Sequence, residues 1–154
     1  MRRNSCCSVL ILFVLLCGGP ALAAVSLPDI PGYTAEAMRS TPLSAPSGDF
    51  GVWLSRTYRS EGRRLLVATL MSGPGAGPLV TGEEGTKTDD RPLGFGATYE
   101  VFTLDGKPAV YETIPSVGVS LAVAVDANST LTLESSSLGR ETLEEAALCM
   151  MRAM

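Results

Sequence analysis

Two short turn signals split the last third of this 154-residue chain into four β-rich runs, and they constrain its fold more than any other feature. Asp105-Gly106-Lys107-Pro108 separates 98–104 from 109–114, and Asp126-Ala127-Asn128 separates 117–125 from 129–134. Asp-Gly and Asp/Asn turns supply the tight reversal that joins antiparallel strands, so each pair of runs predicts a hairpin. In the last run Thr130 and Thr132 alternate with Leu131 and Leu133, giving one polar and one apolar face.

The chain then changes period. Leu143, Ala146, Ala147, Met150 and Met154 recur at i, i+3/i+4 spacing, which predicts a helix over 140–154 with its stripe packed across the sheet. Thr142-Leu143-Glu144-Glu145 matches a capping box, and an earlier start near Ser137 is the alternative.

Upstream, the bulk of Val52, Trp53, Leu54, Thr57 and Tyr58 predicts a strand over 49–58. Ser60-Glu61-Gly62 reads as a hairpin turn, and 63–71 as the return strand. The near-continuous apolar run of that strand implies burial on both faces or a central place in the sheet. Residues 72–92 read as a long Gly- and Pro-rich loop of the kind that is functional or disordered. Residues 24–48, broken by Pro28, Pro31, Pro42 and Pro46, read as an extended arm with one short strand near 33–38. The expected fold is α+β: a twisted antiparallel sheet of about five or six strands packed by a C-terminal helix, as one domain over 49–154.

The run YEVFTLDGKPAVYETIPSVGVSLAVAVDANSTLTLESSSLGRETLEEAALCM, within 99–151, resembles the C-terminal half of small exported bacterial domains of unknown function with a PsbP-like outline. The shared features are the order of a Gly-containing strand, two further strands and a closing helix. The resemblance implies an antiparallel sheet packed by helices and a binding or accessory role. A strong N-terminal helix, part of that outline, is missing here.

The N-terminus predicts an address. Arg2 and Arg3 precede an apolar run over 9–16, Gly18-Gly19-Pro20 breaks it, and Ala21-Leu22-Ala23 has the small-x-small pattern of a cleavage site. A signal peptide over 1–23, cut between Ala23 and Ala24, would send the protein to the periplasm or the exterior. A lipid anchor at Cys17 fits poorly, because Leu16 stands where a lipobox has a small residue. The leader carries Cys6, Cys7 and Cys17, leaving Cys149 as the one thiol of the mature chain and no intrachain disulfide.

Composition narrows the chemistry. The chain has no histidine, hence no ordinary general base or near-neutral switch. Losing two of the 12 basic residues against 16 acidic ones sets the mature charge at about −6, which repels nucleic acid. No segment after the leader is long and apolar enough to span a membrane as a helix.

The candidate binding residues are Arg56, Tyr58, Arg59, Arg63 and Arg64, gathered about the Ser60-Glu61-Gly62 turn, where guanidiniums could grip a carboxylate, a sulfate, a lipid headgroup or an acidic partner. A charged hairpin tip that blocks edge-to-edge association is the plainer reading. Gly82 to Thr88 has the glycine, lysine and threonine of a phosphate loop without its spacing. Glu83, Glu84, Asp89 and Asp90 lack the ligand order of a calcium loop and read as a solvated acidic segment. Trp53, Tyr58, Tyr99, Phe102 and Tyr111 read as core. Asn128-Ser129-Thr130 is a glycosylation sequon on a turn. No cofactor, metal or catalytic residue is expected. The sequence therefore implies an exported, non-catalytic accessory or binding domain for a protein partner or a small or lipidic ligand. The alternatives are a carboxylate-based hydrolase without histidine and a redox dimer through Cys149.

Overall fold

Residues two apart in a strand share a face, so the register decides which side chains form a layer. The computed structural model describes residues 26–60, 63–79 and 81–154, with the backbone alone at 63–65. The expected leader and Glu61-Gly62 of the expected turn lie outside the described residues. Among the described residues, nine strands form one antiparallel sheet: β1 (Thr34–Ala35), β2 (Arg39–Ala45), β3 (Gly48–Ser60), β4 (Arg63–Ser72), β5 (Lys87–Asp89), β6 (Thr98–Leu104), β7 (Lys107–Ile114), β8 (Gly118–Asp126) and β9 (Ser129–Ser135). Helix α1 (Arg140–Ala153) ends the chain. Across the sheet the order is β1-β3-β4-β9-β8-β7-β6-β5, and β2 joins β1 on the outer edge of β3.

The α+β class is the one expected, but the sheet has nine strands rather than five or six. Of the three further pieces, β1 falls within the short strand expected near 33–38, while β2 and β5, which are short or largely exposed and pair through their backbones, have little apolar alternation to announce them. The 24–48 arm is accordingly no separate tether. From residue 39 it is the edge strand β2, where Pro42 opposite Val52 is tolerated because an edge strand has one side free of ladder bonds. Similarly, β5 lies inside the 72–92 loop and pairs with β6.

β4 takes the central position. It pairs with β3 on one side and β9 on the other, tying the first hairpin to the C-terminal meander. Its burial alternates all the same: Leu66, Ala68 and Leu70 are buried, Val67 and Thr69 half-buried. Leu54, Leu70, Leu131, Val123 and Ala109 stand in one cross-strand row, and Ala68, Leu133 and Leu121 in the next. Onto this layer α1 sets Leu143, Ala146, Ala147 and Met150, lying against β8 and β9. Each buried leucine contributes about 1.5–3 kcal/mol by removal from water. Met154, expected in the stripe, is 42% exposed beyond the last turn.

The helix begins without the expected capping box. Gly139 is the N-cap and makes no side-chain cap bond, so Thr142 falls inside the first turn. The preceding bend is held instead by Ser135, whose Oγ accepts the N–H groups of Ser137 at 3.2 Å and Leu138 at 3.0 Å. Arg140 fastens the helix start to strands farther along the sheet. Its guanidinium lies 4.5 Å from the Phe102 ring centroid and 5.1 Å from that of Tyr111. Its Nη1 also donates to Glu100 at 2.9 Å and its Nε to Glu144 at 2.6 Å.

Candidate functional site

The arginines singled out at the first hairpin divide by face. Arg56 points to the helix side, where the N-terminal segment occupies its donors. Nη1 donates to the Leu27 carbonyl at 2.8 Å and Nε to the Glu36 carbonyl at 2.9 Å, while Nη2 pairs with Asp29 at 2.8 Å. Tyr58 is fully buried beside it and donates its hydroxyl to the Pro28 carbonyl at 2.7 Å. Burial pushes this phenol above its ordinary range, and the nearby Arg56 charge partly opposes the shift. These two residues strap residues 27–30 onto the sheet, with Leu27 and Ile30 in the core. Arg59 stays on the surface and pairs with Glu36 at 2.6 Å. The side chains of Arg63 and Arg64 lie outside the described residues.

The sheet face opposite the helix carries the larger site. Thr57, Val67, Glu134, Ser120, Glu112 and Tyr99 stand opposite one another across β3, β4, β9, β8, β7 and β6. Among the described residues no helix covers this row, since α1 sets its stripe on the other side. A cleft of about 390 Å³ opens over its middle, walled by Val67, Ile114, Val117 and Val119 and carrying Glu112, Ser120 and Glu134. That size falls in the range of small-molecule sites.

Gly118 sets the floor. At its φ of +145° a Cβ would collide with the Ser135 carbonyl oxygen and come within 2.9 Å of Ser136 Cα. Glycine there lets the start of β8 approach the end of β9. The Glu112 carboxylate beside Tyr99 raises its phenol above the ordinary range.

A second depression of about 290 Å³ adjoins the first, and Val67 lines both. Its other walls are Ser55, Thr57, Ala37, Glu36, Arg39, Arg56 and Arg59, at the gap where β1 gives way to β2 along β3. Arg39 and Arg59 set two guanidiniums beside one carboxylate here, the Arg56 guanidinium being turned to the helix side, whereas the first cleft holds two carboxylates and no cation.

Large apolar side chains stand exposed on the β7–β8 turn and the loop beside it. Leu93 is 98% exposed, Phe95 90% and Val117 65%. The 91–97 loop that presents Leu93 and Phe95 sits beside the β7–β8 turn, since a Cβ at Gly96 would lie 3.8 Å from Pro115 Cγ. Backbone bonds from Leu93 and Gly94 to the Asp90 carbonyl and an Asp89–Arg91 ion pair hold the loop.

Sequence reasoning named Arg59 of this surface, grouped with it Arg56, which turns to the helix side, and missed Arg39, Glu112 and Glu134. The available signal was strand alternation: Glu112 and Glu134 fall on the polar phase of their strands, and β8 between them places Ser120 in line. Trp53, expected in the core, stands 43% exposed on the open face opposite Met71, because it alternates with buried Leu54. Phe102 and Tyr111 are half-buried under Arg140. Cys149 is half-buried on α1. Asp126 and Asn128 make the expected turn, with Asn128 N–H donating to Asp126 Oδ1 at 2.8 Å.

Among the described residues no three acidic or cysteine side chains gather as metal ligands, and no helix is long and apolar enough to cross a membrane. The fold and surface thus define an antiparallel sheet buried on one face and open, with a charged and apolar cleft, on the other. Comparison with protein-family models, curated proteins and solved structures returns no match for this chain.

Proposed function

We propose that the protein is an exported, non-catalytic binding module that recognises its partner on the open face of the sheet. Export follows from the leader, with cleavage between Ala23 and Ala24; intact mass of the protein recovered from the cell envelope or medium tests this directly. What supports the binding reading is the cleft itself. Its apolar wall of Val67, Ile114, Val117 and Val119 favours an apolar group, and Glu112 with Glu134 favours a cationic or hydrogen-donating end on that group. The arginine-turn site of the first hairpin survives in this reading as one edge of the surface, through Arg59.

Dodecylamine is a simple probe of the cleft, with dodecanol and dodecanoate as its neutral and anionic counterparts. Binding is expected in the order amine, alcohol, acid. Ser120→Trp places a bulky ring in the middle of the cleft without touching the core and should weaken dodecylamine at least tenfold. Equal affinity for the three probes, or no change with Ser120→Trp, contradicts the reading.

The two carboxylates that flank Ser120 favour one second reading, a hydrolase that uses Glu112 and Glu134 as its acid and its base or nucleophile. It requires turnover of a substrate such as a nitrophenyl glycoside, lost in both Glu112→Gln and Glu134→Gln. The binding reading expects no turnover.

A further inference from the structure

We propose that the two depressions form one bipolar groove that takes an extended peptide segment of a protein partner, anionic at one end and cationic at the other. The proposal rests on the binding reading above and adds the ligand class. Val67 lines both depressions, so they lie side by side on the sheet face. On the β3 side lie Arg39 and Arg59; on the β9 and β7 side lie Glu134 and Glu112.

Of the basic groups, Arg39 is exposed and has no ion-pair partner among the described residues, while Arg56 is tied to the N-terminal segment and Arg59 to Glu36. Arg39 is therefore the group most ready to take a carboxylate. Glu134 is its counterpart, exposed on β9 where the acidic half of the row begins.

Span selects the ligand. Strands lie ~4.8 Å apart, and Arg39 stands on β2, one strand beyond β3, so β2 to β9 is roughly 14 Å and β2 to β7 roughly 24 Å. An extended chain advances ~3.3 Å per residue, so about four to seven residues cover the groove. A zwitterionic lipid headgroup, with its charges a few bonds apart, cannot reach both ends. Between Arg39 and Glu134 the track is Thr57 and Val67, small or apolar, which suits short uncharged side chains between two charged ends. Opposite charges at fixed separation also give the peptide a single direction.

The test uses acetyl-Lys-Ala-Val-Ala-Ala with a free C-terminal carboxylate, titrated calorimetrically into the mature chain at low salt. Amidating the C-terminus and replacing lysine by leucine should each weaken binding about fivefold or more. Moving lysine next to the free carboxylate should weaken it as much, because the two charges then no longer span the groove. Arg39→Ser should erase the difference between acid and amide while keeping the lysine preference. Glu134→Gln should do the reverse. Both replaced residues are exposed, and the circular dichroism spectrum checks that each variant is folded.

Charge preferences that persist in both variants overturn the proposal, as does equal affinity for the displaced-lysine peptide. If dodecylamine binds the cleft and no peptide does, the groove falls and the binding reading stands. If neither binds, both fall.

Discussion

Arg140 reaches 40 residues back along the chain to place its Nη1 2.9 Å from Glu100 Oε1, with its guanidinium over the rings of Phe102 and Tyr111. The helix body packs on β8 and β9, and this one side chain extends its hold to β6 and β7. Arg140→Ala should lower stability by about 1 kcal/mol, chiefly from the lost ring contacts, since the ion pairs are partly exposed and screened. Urea unfolding followed by circular dichroism measures it. Arg140→Lys should recover only part, because an ammonium cannot stack on two rings and reach two carboxylates.

The same contact predicts acid sensitivity. The Arg140 hydrogen bond holds Glu100 below its ordinary 4.5, and the Arg91 hydrogen bonds hold Asp89 below 3.8. A depressed carboxyl contributes stability above its unfolded pKa and loses it as pH falls through the folded one. Stability should therefore decline as pH drops below 4.5, and Arg140→Met should flatten the part due to Glu100. Melting temperatures at pH 7 through pH 3 read the effect.

Tyr58 governs the N-terminal segment. Tyr58→Phe removes the hydroxyl bond to the Pro28 carbonyl and should cost about 1 kcal/mol. Limited proteolysis should then cut first near residues 28–32. Burial raises the phenol above its ordinary 10, so its stabilisation is complete below pH 10 and lost as pH rises through the folded value. The phenylalanine variant should lack that alkaline loss.

Leu143→Ala tests the buried stripe. Leu143 is fully buried between α1 and the sheet, so the truncation should cost about 2–5 kcal/mol, partly as cavity. An exposed neighbour, Glu145→Ala, should change little, and thermal melts separate the two.

Gly118→Ala should harm both stability and the cleft. The added Cβ meets the backbone of Ser135 and Ser136, so β8 must move from β9 or the turn must rearrange. A melting temperature several degrees lower, together with weaker dodecylamine binding, is the expected pair of results.

How much of this was legible beforehand depends on what each element uses to hold itself. The meander β6–β9 and helix α1 were readable because turn residues and periodicity are local. So was β4, whose apolar run reflects its central position. β2 and β5 were not, since Pro42 and the Lys-Thr-Asp of β5 look like loop and pair only because a neighbouring edge is present. The capping box failed because Gly139 ends the bend that Ser135 holds, leaving Thr142 one turn too late. The arginine cluster was visible as composition, but the faces were not: Arg56 alternates inward and is met by Leu27, Asp29 and Glu36, a contact made across the fold. Glu112 and Glu134 came together through strand pairing, which a one-dimensional pattern does not reveal.

The open sheet face as the binding surface is tested most directly by amide chemical-shift mapping during titration with acetyl-Lys-Ala-Val-Ala-Ala. The largest shifts are expected at Arg39, Thr57, Val67, Ser120, Glu134 and Glu112, with α1 and residues 27–30 unchanged. Shifts concentrated on α1 or on the N-terminal segment, or confined to the charged ends with none at Val67 and Ser120, would contradict it.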